Sequence, residues 1–436
     1  MTRVAFATLG CRLNQVDTQE MQARLEAEGF SSTRPGETAD VVVVNSCTVT
    51  ARAEASDRQA IARARREHPG ARIVVTGCWA QTDPERVARQ PGVDLVVGNA
   101  DKAALPALVA RTLAAPRMTA RVAVSDIGAL RDLAPAALAR APGRSRAFVK
   151  VQEGCQHRCA FCIVPMARGA SRSRDPGAVR EQVEHLVAAG HPEIVLTGVD
   201  LGHYGADLTP RTSLAALLAT LIGTPGLRWI RLSSVLPAYF TPALVEVVTG
   251  SAVIAPHLHV PLQSGSDRIL RAMRRPYNVA RYRDLVERLA AAIPGLGLGA
   301  DVIVGFPGED ETDFAETRRL VETLPFSYLH VFAYSDRRGT EAARLGGRAD
   351  ACLLATRSRT LRELAAAKGL AFRRGLVGSR QEVLVLETRD QLSGGLVGLT
   401  GNYVEVVFDG PEALKGRLAG VRVTAAAPVV TRGEAA

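Results

Sequence analysis

Cys155, Cys159 and Cys162 stand in the run Glu153-Gly-Cys-Gln-His-Arg-Cys-Ala-Phe-Cys162, a C-x-x-x-C-x-x-C spacing. Three thiolates this close in sequence suit an iron–sulfur cluster, because soft sulfur donors are what such clusters take from a protein. A cube of four irons held by three cysteines keeps one iron for a substrate or cofactor. A zinc knuckle is the competing use of the same residues. It needs a fourth ligand nearby, for which His157 is the candidate, and the short spacing strains tetrahedral geometry.

Cys11, Cys47 and Cys78 form a second, dispersed set. Each ends a short apolar run: Val4–Gly10, Val41–Ser46 and Arg72–Gly77. Runs of this length rich in β-branched residues read as buried strands. The stretches between them, Asp17–Gly29 and Ala53–His68, are helical in composition. Strand–helix–strand at this spacing implies parallel strands in a doubly wound sheet, which places ligands at the carboxyl edge. The three cysteines are therefore expected to converge there as a second three-thiolate site. Three structural cysteines that merely share an edge are the alternative.

The elements that must position these thiols occupy 436 residues, enough for two or three domains with cores of their own. No apolar run approaches the length of a membrane span, and the first residues show no signal-peptide pattern. The expected location is the cytoplasm, where thiols stay reduced and clustered cysteines serve as metal ligands. Cys352, alone in an Ala/Leu/Arg-rich helical stretch, reads as a buried small apolar residue.

The net charge is +10. Between Arg144 and Arg174 there are seven cations against one anion, and between Arg268 and Arg283 six against none. Such clusters beside a cofactor site point to a polyanionic partner, with a solvated basic face as the alternative. Arg168, Arg172, Arg174, Arg274 and Arg275 are the candidate phosphate contacts.

The expected fold class is α/β in three parts. Residues 1–115 form the doubly wound N-terminal domain, and 116–143 a connecting segment. Residues 144–372 show six strand candidates alternating with helices, around Phe148–Gln152, Ile194–Val199, Trp229–Ser234, His257–Leu262, Gly299–Val304 and Leu329–Tyr334. Six βα units imply an open, partial (β/α)6 barrel with its chemistry at the strand carboxyl ends. Residues 373–436 carry β-rich stretches (Glu382–Leu386, Tyr403–Phe408, Arg422–Thr424) broken by glycine turns, which reads as a small antiparallel barrel. With eight Lys/Arg against seven Asp/Glu there, charge alone does not identify it as an RNA binder.

The cysteine loop is the signature of the radical S-adenosylmethionine (SAM) enzymes, and nearly the whole chain resembles one family among them, the methylthiotransferases. The stretches that carry the likeness are Leu9-Gly-Cys-Arg-Leu-Asn14, Asn45-Ser-Cys-Thr-Val-Thr50, Thr76-Gly-Cys-Trp-Ala-Gln81, Cys155–Gly169, Pro261-Leu-Gln-Ser-Gly-Ser266 and Asp301–Glu309. Arg12-Leu13-Asn14 looks like the branch acting on N6-threonylcarbamoyladenosine at position 37 of tRNA, though Trp79 stands where a tyrosine is common. The branches acting on isopentenyladenosine in tRNA and on a ribosomal protein share every cofactor motif.

The resemblance implies a transferase with two 4Fe-4S clusters. Cys155, Cys159 and Cys162 would hold the one that binds SAM and starts its reductive cleavage. Cys11, Cys47 and Cys78 would hold an auxiliary cluster carrying the sulfur. It also implies a TRAM-like terminal barrel, the tRNA anticodon loop as partner, a flavodoxin- or ferredoxin-type electron donor and a monomeric enzyme. No protein nucleophile or acid–base pair is evident, so the catalytic groups are the cofactors. Candidate SAM contacts on the barrel rim are Thr197, Gly198, Asp200, Ser234, Gln263, Ile303 and Gly305, with Phe161 in the cysteine loop. Core packing and turn glycines are their alternative readings. His257 and His259 share one strand face and read as buried, hydrogen-bonded histidines rather than a metal pair. A cobalamin-dependent methylase would show a D-x-H-x-x-G motif, which the chain lacks. A non-enzymatic iron–sulfur RNA-binding protein leaves the six βα units unexplained.

Overall fold

A computed structural model of the chain describes residues 1–34, 36–133 and 143–436. They divide into two compact units.

The first unit is built on a parallel sheet of β1 (Arg3–Thr8), β2 (Ser31–Ser32), β3 (Val41–Ser46), β4 (Arg72–Gly77), β5 (Val93–Val97) and β6 (Arg121–Ala123), in the order β2-β1-β3-β4-β5-β6. Its central strands are valine-rich because both faces are covered. Val41 and Val43 pack with Met21 and Leu25 of helix α1 (Arg12–Ala27). Val42 and Val44, pointing the other way, pack with Ile61 of helix α2 (Ala51–Glu67). The doubly wound expectation holds, and the strand order adds something to it. The chain runs from β1 outward to β2 and then returns to β3 on the other side of β1. The topological switch of the sheet therefore lies between β1 and β3, where open α/β sheets place their ligands. Cys11 and Cys47 follow these two strands.

Strand β6 lies inside the expected connecting segment, so the first sheet reaches past residue 115. Residues 134–142 of that segment fall outside the described residues. The first unit also includes Gln152–Arg174, with the cysteine loop, and Ser335–Ala343. The loop is closed at its base by an antiparallel pair, β8 (Gln152–Glu153) and β9 (Arg172–Ser173). Domain boundaries drawn along the sequence at 115, 143 and 372 do not anticipate this grouping.

The second unit begins with β7 (Arg146–Lys150) and continues through β10 (Glu193–Thr197), β11 (Trp229–Leu232), β12 (His257–His259), β13 (Gly297–Val304) and β14 (Tyr328–Ala333). These six strands are parallel, in ladders β7-β10-β11 and β12-β13-β14 joined through the bridge Ile230–Ile254. With helices between them over a Val/Leu/Ile core, they form the partial (β/α)6 barrel. The same unit contains a closed barrel of β15 (Arg380–Arg389), β16 (Leu396–Thr400), β17 (Glu405–Phe408), β18 (Leu418–Ala426) and β19 (Thr431–Ala435). It is antiparallel except where β17 meets β19. Arg231, fully buried on β11, pairs with Glu193 at 2.7 Å and donates to the carbonyl of Gly401 at 2.8 Å, so the terminal barrel is docked on the partial one. Cys352 is not buried: it is the exposed second residue of the helix Ala351–Arg374.

Among the described residues no helix is long and apolar enough to cross a membrane.

Candidate functional site

All six cysteines of the two sets belong to the first unit, and all are free thiols. Cys11 caps the start of α1, Cys47 follows β3, and Cys78 opens the short helix α3 (Cys78–Thr82) after β4. Gly10, with φ +91°, brings the Cys11 turn against Cys47: a Cβ on it would stand 2.7 Å from Cys47 Cβ and 2.8 Å from its Sγ. Only glycine satisfies both the backbone and this approach. The Cys47 thiol is pushed up to about 12, first by burial and then by the nearby Cys78 and Cys11. Three thiols near enough to repel one another's charge are the donor set of a soft metal centre, which would deprotonate them on binding. The residues fit an iron–sulfur cluster.

Hydrogen bonds fix the backbone around these thiols. Cys47 N–H donates to both carboxylate oxygens of buried Asp57, at 3.2 and 3.1 Å. Asn99 Nδ2 lies 3.8 Å from Cys78 Sγ and donates to the Ala167 carbonyl at 2.7 Å, joining the Cys78 site to the helix Val164–Arg168 that follows the cysteine loop.

Within that loop, Cys155 N–H bonds the Gly169 carbonyl and Cys162 N–H the Cys159 carbonyl, both at 3.0 Å. Gln152 Nε2 ties the base together through the carbonyls of Glu153 and Gly154 and Ser171 Oγ. The three cysteines and Phe161 are partly exposed.

The two cysteine sets are joined through a buried polar face of α1. Asn14 is fully buried, and its amide donates to the carbonyls of Leu9 (2.7 Å) and Ser46 (2.9 Å), next to Cys11 and Cys47. Its Oδ1 accepts from Arg168 Nη2 at 2.6 Å. One turn on, Asp17 pairs with Arg168 at 2.9 Å and Lys102 at 2.7 Å, and after that Glu20 pairs with Arg174 at 3.1 Å. Arg168 completes the network on Glu153 at 2.5 Å. Burial opposes its charge, but Cys78, Asp17, Glu153 and Cys11 together hold it protonated well above its ordinary range.

This corrects the sequence reading of three arginines. Arg168, Arg172 and Arg174 are only 2%, 4% and 3% exposed, and their guanidinium groups serve the interior. Arg172 Nη2 donates to the Arg168 carbonyl. Arg274 is exposed, and Arg275 is half-buried with its guanidinium over the Tyr277 ring.

In the second unit the candidate SAM contacts lie at the carboxyl ends of barrel strands. Thr197 closes β10, and Gly198 and Asp200 follow it, with Asp200 accepting from Tyr239 Oη at 3.0 Å. Ser234 follows β11 and bonds His259 Nδ1 at 2.7 Å. Gln263, after β12, has φ +69°, a conformation that costs energy outside glycine and clusters at functional sites. Its backbone is pinned by the Asp301 carbonyl and the Ile303 N–H. Gly305, after β13, donates its N–H to Glu309 Oε1. His257 and His259 are buried and hydrogen-bonded, and His259 Nε2 lies 3.3 Å from Asp301 Oδ1. Sequence reasoning missed Asn99 and the roles of Asn14 and Asp17. Their three-residue spacing on α1 was the signal.

The family described as Radical SAM superfamily matches residues 149–321, and the one described as Uncharacterized protein family UPF0004 matches residues 3–98. Threonylcarbamoyladenosine tRNA methylthiotransferase MtaB of Bacillus subtilis is 38% identical, across all of this chain and 96% of that protein. This chain belongs to the radical SAM methylthiotransferases. It is an enzyme that transfers a methylthio group, and SAM and 4Fe-4S chemistry are typical of its family. A second methylthiotransferase relative, tRNA-2-methylthio-N(6)-dimethylallyladenosine synthase of Frankia casuarinae, is 38% identical over 97% of this chain and 79% of its own. Among solved structures, the radical SAM methyltransferase TsrM of Kitasatospora setae shares the fold at TM-score 0.57, with 16% identity over 79% of this chain and 77% of that one.

Proposed function

We propose that this methylthiotransferase acts on N6-threonylcarbamoyladenosine at position 37 of tRNA, giving the 2-methylthio derivative, and that it works with two 4Fe-4S clusters. The observation that carries the two-cluster reading is the pair of three-cysteine sets in one compact unit, tied together through Asn14 and Arg168. Cys155, Cys159 and Cys162 would hold the cluster that binds SAM, and Cys11, Cys47 and Cys78 the auxiliary one. When bound, the cofactors supply the electron, the hydrogen-abstracting radical and the sulfur.

The protein's own residues do the positioning. Buried Arg168 offsets thiolate charge at Cys78 and Cys11, and the Asn99 amide offers a hydrogen bond to the Cys78 sulfur, a lever on cluster potential. Cys47 and Cys78 are buried and Cys11 is exposed, so burial would shield two of the three sulfurs from water. Thr197, Gly198, Asp200, Ser234, Gln263, Ile303 and Gly305 would orient SAM from the barrel rim, with Phe161 packing on its adenine. The TRAM-like barrel with Arg274 and Arg275 would hold the anticodon loop, whose exposed bases enter a pocket without opening a duplex. A low-potential donor of flavodoxin or ferredoxin type, a cytoplasmic setting and a monomer complete the reading.

The threonylcarbamoyl substrate is supported by the Bacillus subtilis relative, which matches end to end, and by the Arg12-Leu13-Asn14 signature. The Frankia relative, equally identical, supports dimethylallyladenosine as the second reading. Mass spectrometry of tRNA nucleosides from a deletion strain and a complemented one tests both. The deletion should keep threonylcarbamoyladenosine and lose only its methylthio group. Loss of methylthio-dimethylallyladenosine instead selects the second reading, and loss of neither overturns the tRNA assignment.

A further inference from the structure

A cleft of about 500 Å3 opens in the first unit beside both cysteine sets. Thr48, the residue after Cys47, and Ile163, the residue after Cys162, line it. One wall is made by Asp336, Arg337, Arg338 and Gly339 of the segment Ser335–Ala343. Arg337 of that wall donates to Glu54 at 2.6 Å and to the Thr48 carbonyl at 3.3 Å, and Ala342 N–H bonds the Ala160 carbonyl inside the cysteine loop at 2.8 Å. The wall is thus pinned next to Cys47 at one end and next to Cys159 at the other.

Four arginines reach this cleft, and they are not equivalent. Arg337 and Arg86 are both committed to Glu54. Arg89 and Arg338 are exposed and make no ion pair among the described residues. Thr48, Thr82, Asp83 and Asp336 add hydroxyls and carboxylates, and only Ile163 and Met166 are apolar. Thr48 and Thr82 already donate their hydroxyls to Glu54 and the Cys78 carbonyl, at 2.8 and 3.0 Å, so their oxygens can only accept. A lining with two available guanidinium groups beside hydroxyl and carboxylate acceptors suits a polar substituent that carries its own carboxylate, hydroxyl and N–H groups. It does not suit a branched hydrocarbon, which would desolvate these groups and leave them unpaired.

We propose that this cleft is the subsite for the carboxylate-bearing N6 substituent of the target adenosine, with Arg89 and Arg338 as its carboxylate contacts. The inference rests on the threonylcarbamoyladenosine reading above and supplies its specificity determinant. A planar guanidinium is the natural partner of a carboxylate, and losing such a charge-assisted contact costs tenfold or more in affinity, at about 1.4 kcal/mol per decade.

The test uses anaerobically reconstituted enzyme and one tRNA in two forms, with adenosine 37 bearing threonylcarbamoyl or unmodified. Fluorescence anisotropy gives the affinity for each, and nucleoside mass spectrometry gives the product. The Arg89→Gln/Arg338→Gln double variant should lose about tenfold or more in affinity for the modified tRNA and keep its affinity for the unmodified one. Arg338→Lys should recover part of the loss. Unchanged affinity for the modified tRNA overturns the subsite. So does an equal loss on both tRNAs, which assigns the arginines to backbone phosphate. A wild-type enzyme that leaves the threonylcarbamoyl tRNA unconverted overturns the substrate reading and the subsite with it. One that converts threonylcarbamoyl tRNA while the double variant keeps its preference overturns the subsite alone.

Discussion

Asn14 and Arg168 meet through a 2.6 Å hydrogen bond from the guanidinium to the amide oxygen, both side chains buried. The amide's other end holds the carbonyls that precede Gly10-Cys11 and Cys47, and the arginine stands six residues after Cys162. A signature that marks a substrate branch by resemblance is therefore, in physical terms, part of the brace between two cysteine sites.

Replacing Arg168 should be costly. Arg168→Met removes the cation and leaves Glu153 and Asp17 in the interior, with Asp17 still paired to Lys102. Breaking a buried pair this way costs roughly 3–5 kcal/mol. Urea unfolding of the apo-protein measures it, and a loss below about 0.5 kcal/mol, the size of an ordinary surface substitution, would contradict the brace. Asn14→Asp is the finer probe. It keeps an acceptor for Arg168 but replaces the Nδ2 donor by an oxygen facing the carbonyls of Leu9 and Ser46, so it should disturb the Cys11 and Cys47 backbone selectively.

Iron content separates the two cysteine sets. Reconstituted wild-type protein should hold about eight irons, as two cubes of four. Alanine at Cys155, Cys159 and Cys162 should remove half of them together with SAM cleavage. Alanine at Cys11, Cys47 and Cys78 should remove the other half and leave some 5′-deoxyadenosine formation. Full iron in the second triple variant would show that those thiols are not ligands.

Asn99 offers a test that leaves the ligands alone. Its Nδ2 is 3.8 Å from Cys78 Sγ, and hydrogen bonds to ligand sulfurs help set cluster potential. Asn99→Leu removes a donor that stabilises the more negative, reduced state. The midpoint potential of the auxiliary cluster should shift downward with its iron retained. Redox titration followed by electron paramagnetic resonance reads this directly, and an unmoved potential would confine Asn99 to its bond with Ala167.

The sequence made the cysteine positions legible because each thiol ends an apolar β-branched run, and such runs have few alternatives to a buried strand. It did not reveal the switch between β1 and β3, because β2 is only Ser31–Ser32 and carries no apolar signal. It also misassigned Arg168, Arg172 and Arg174. Charge density is normally read as solvent exposure, whereas here Asn14, Asp17 and Glu20 form a polar face turned inward to meet these arginines. Two strands of the terminal barrel, Leu396–Thr400 and Thr431–Ala435, escaped because Gly398 and Gly433 interrupt them. In each case a neighbour, Val383 or Val421, fills the space a side chain would take.

With three basic-cluster residues assigned to the interior, RNA affinity should depend on Arg274 and Arg275. Arg274 has a positive φ of 59°, which holds this exposed turn in an uncommon conformation. Arg274→Glu/Arg275→Glu should weaken tRNA binding and flatten its salt dependence, since each lost phosphate contact reduces the slope by about 0.9 for a duplex and about 0.7 for a single strand. SAM cleavage without tRNA should be nearly unaffected. An unchanged slope would identify the cluster as a solvated face.

The terminal barrel should depend on one buried arginine. Arg231 is 0% exposed, as is its partner Glu193, and it also donates to the Thr400 and Gly401 carbonyls and lies 5.2 Å from the Tyr403 ring centroid. Among the described residues, Arg231→Leu leaves Glu193 with Arg146 at 3.7 Å as its ion-pair partner, strips the Gly401 carbonyl of this donor, and leaves the Thr400 carbonyl with the Tyr403 N–H at 3.0 Å. The expected cost is again about 3–5 kcal/mol, concentrated where the two barrels meet. Limited proteolysis should then release a fragment beginning near Gly375, where the long helix ends, while the wild type resists under the same conditions. Glu193→Leu added to Arg231→Leu removes the stranded charge and should restore much of the stability, because a buried ion pair replaced by apolar residues is often neutral. If the double variant is cut as readily as the single one, the carbonyl contacts rather than the ion pair hold the terminal barrel in place.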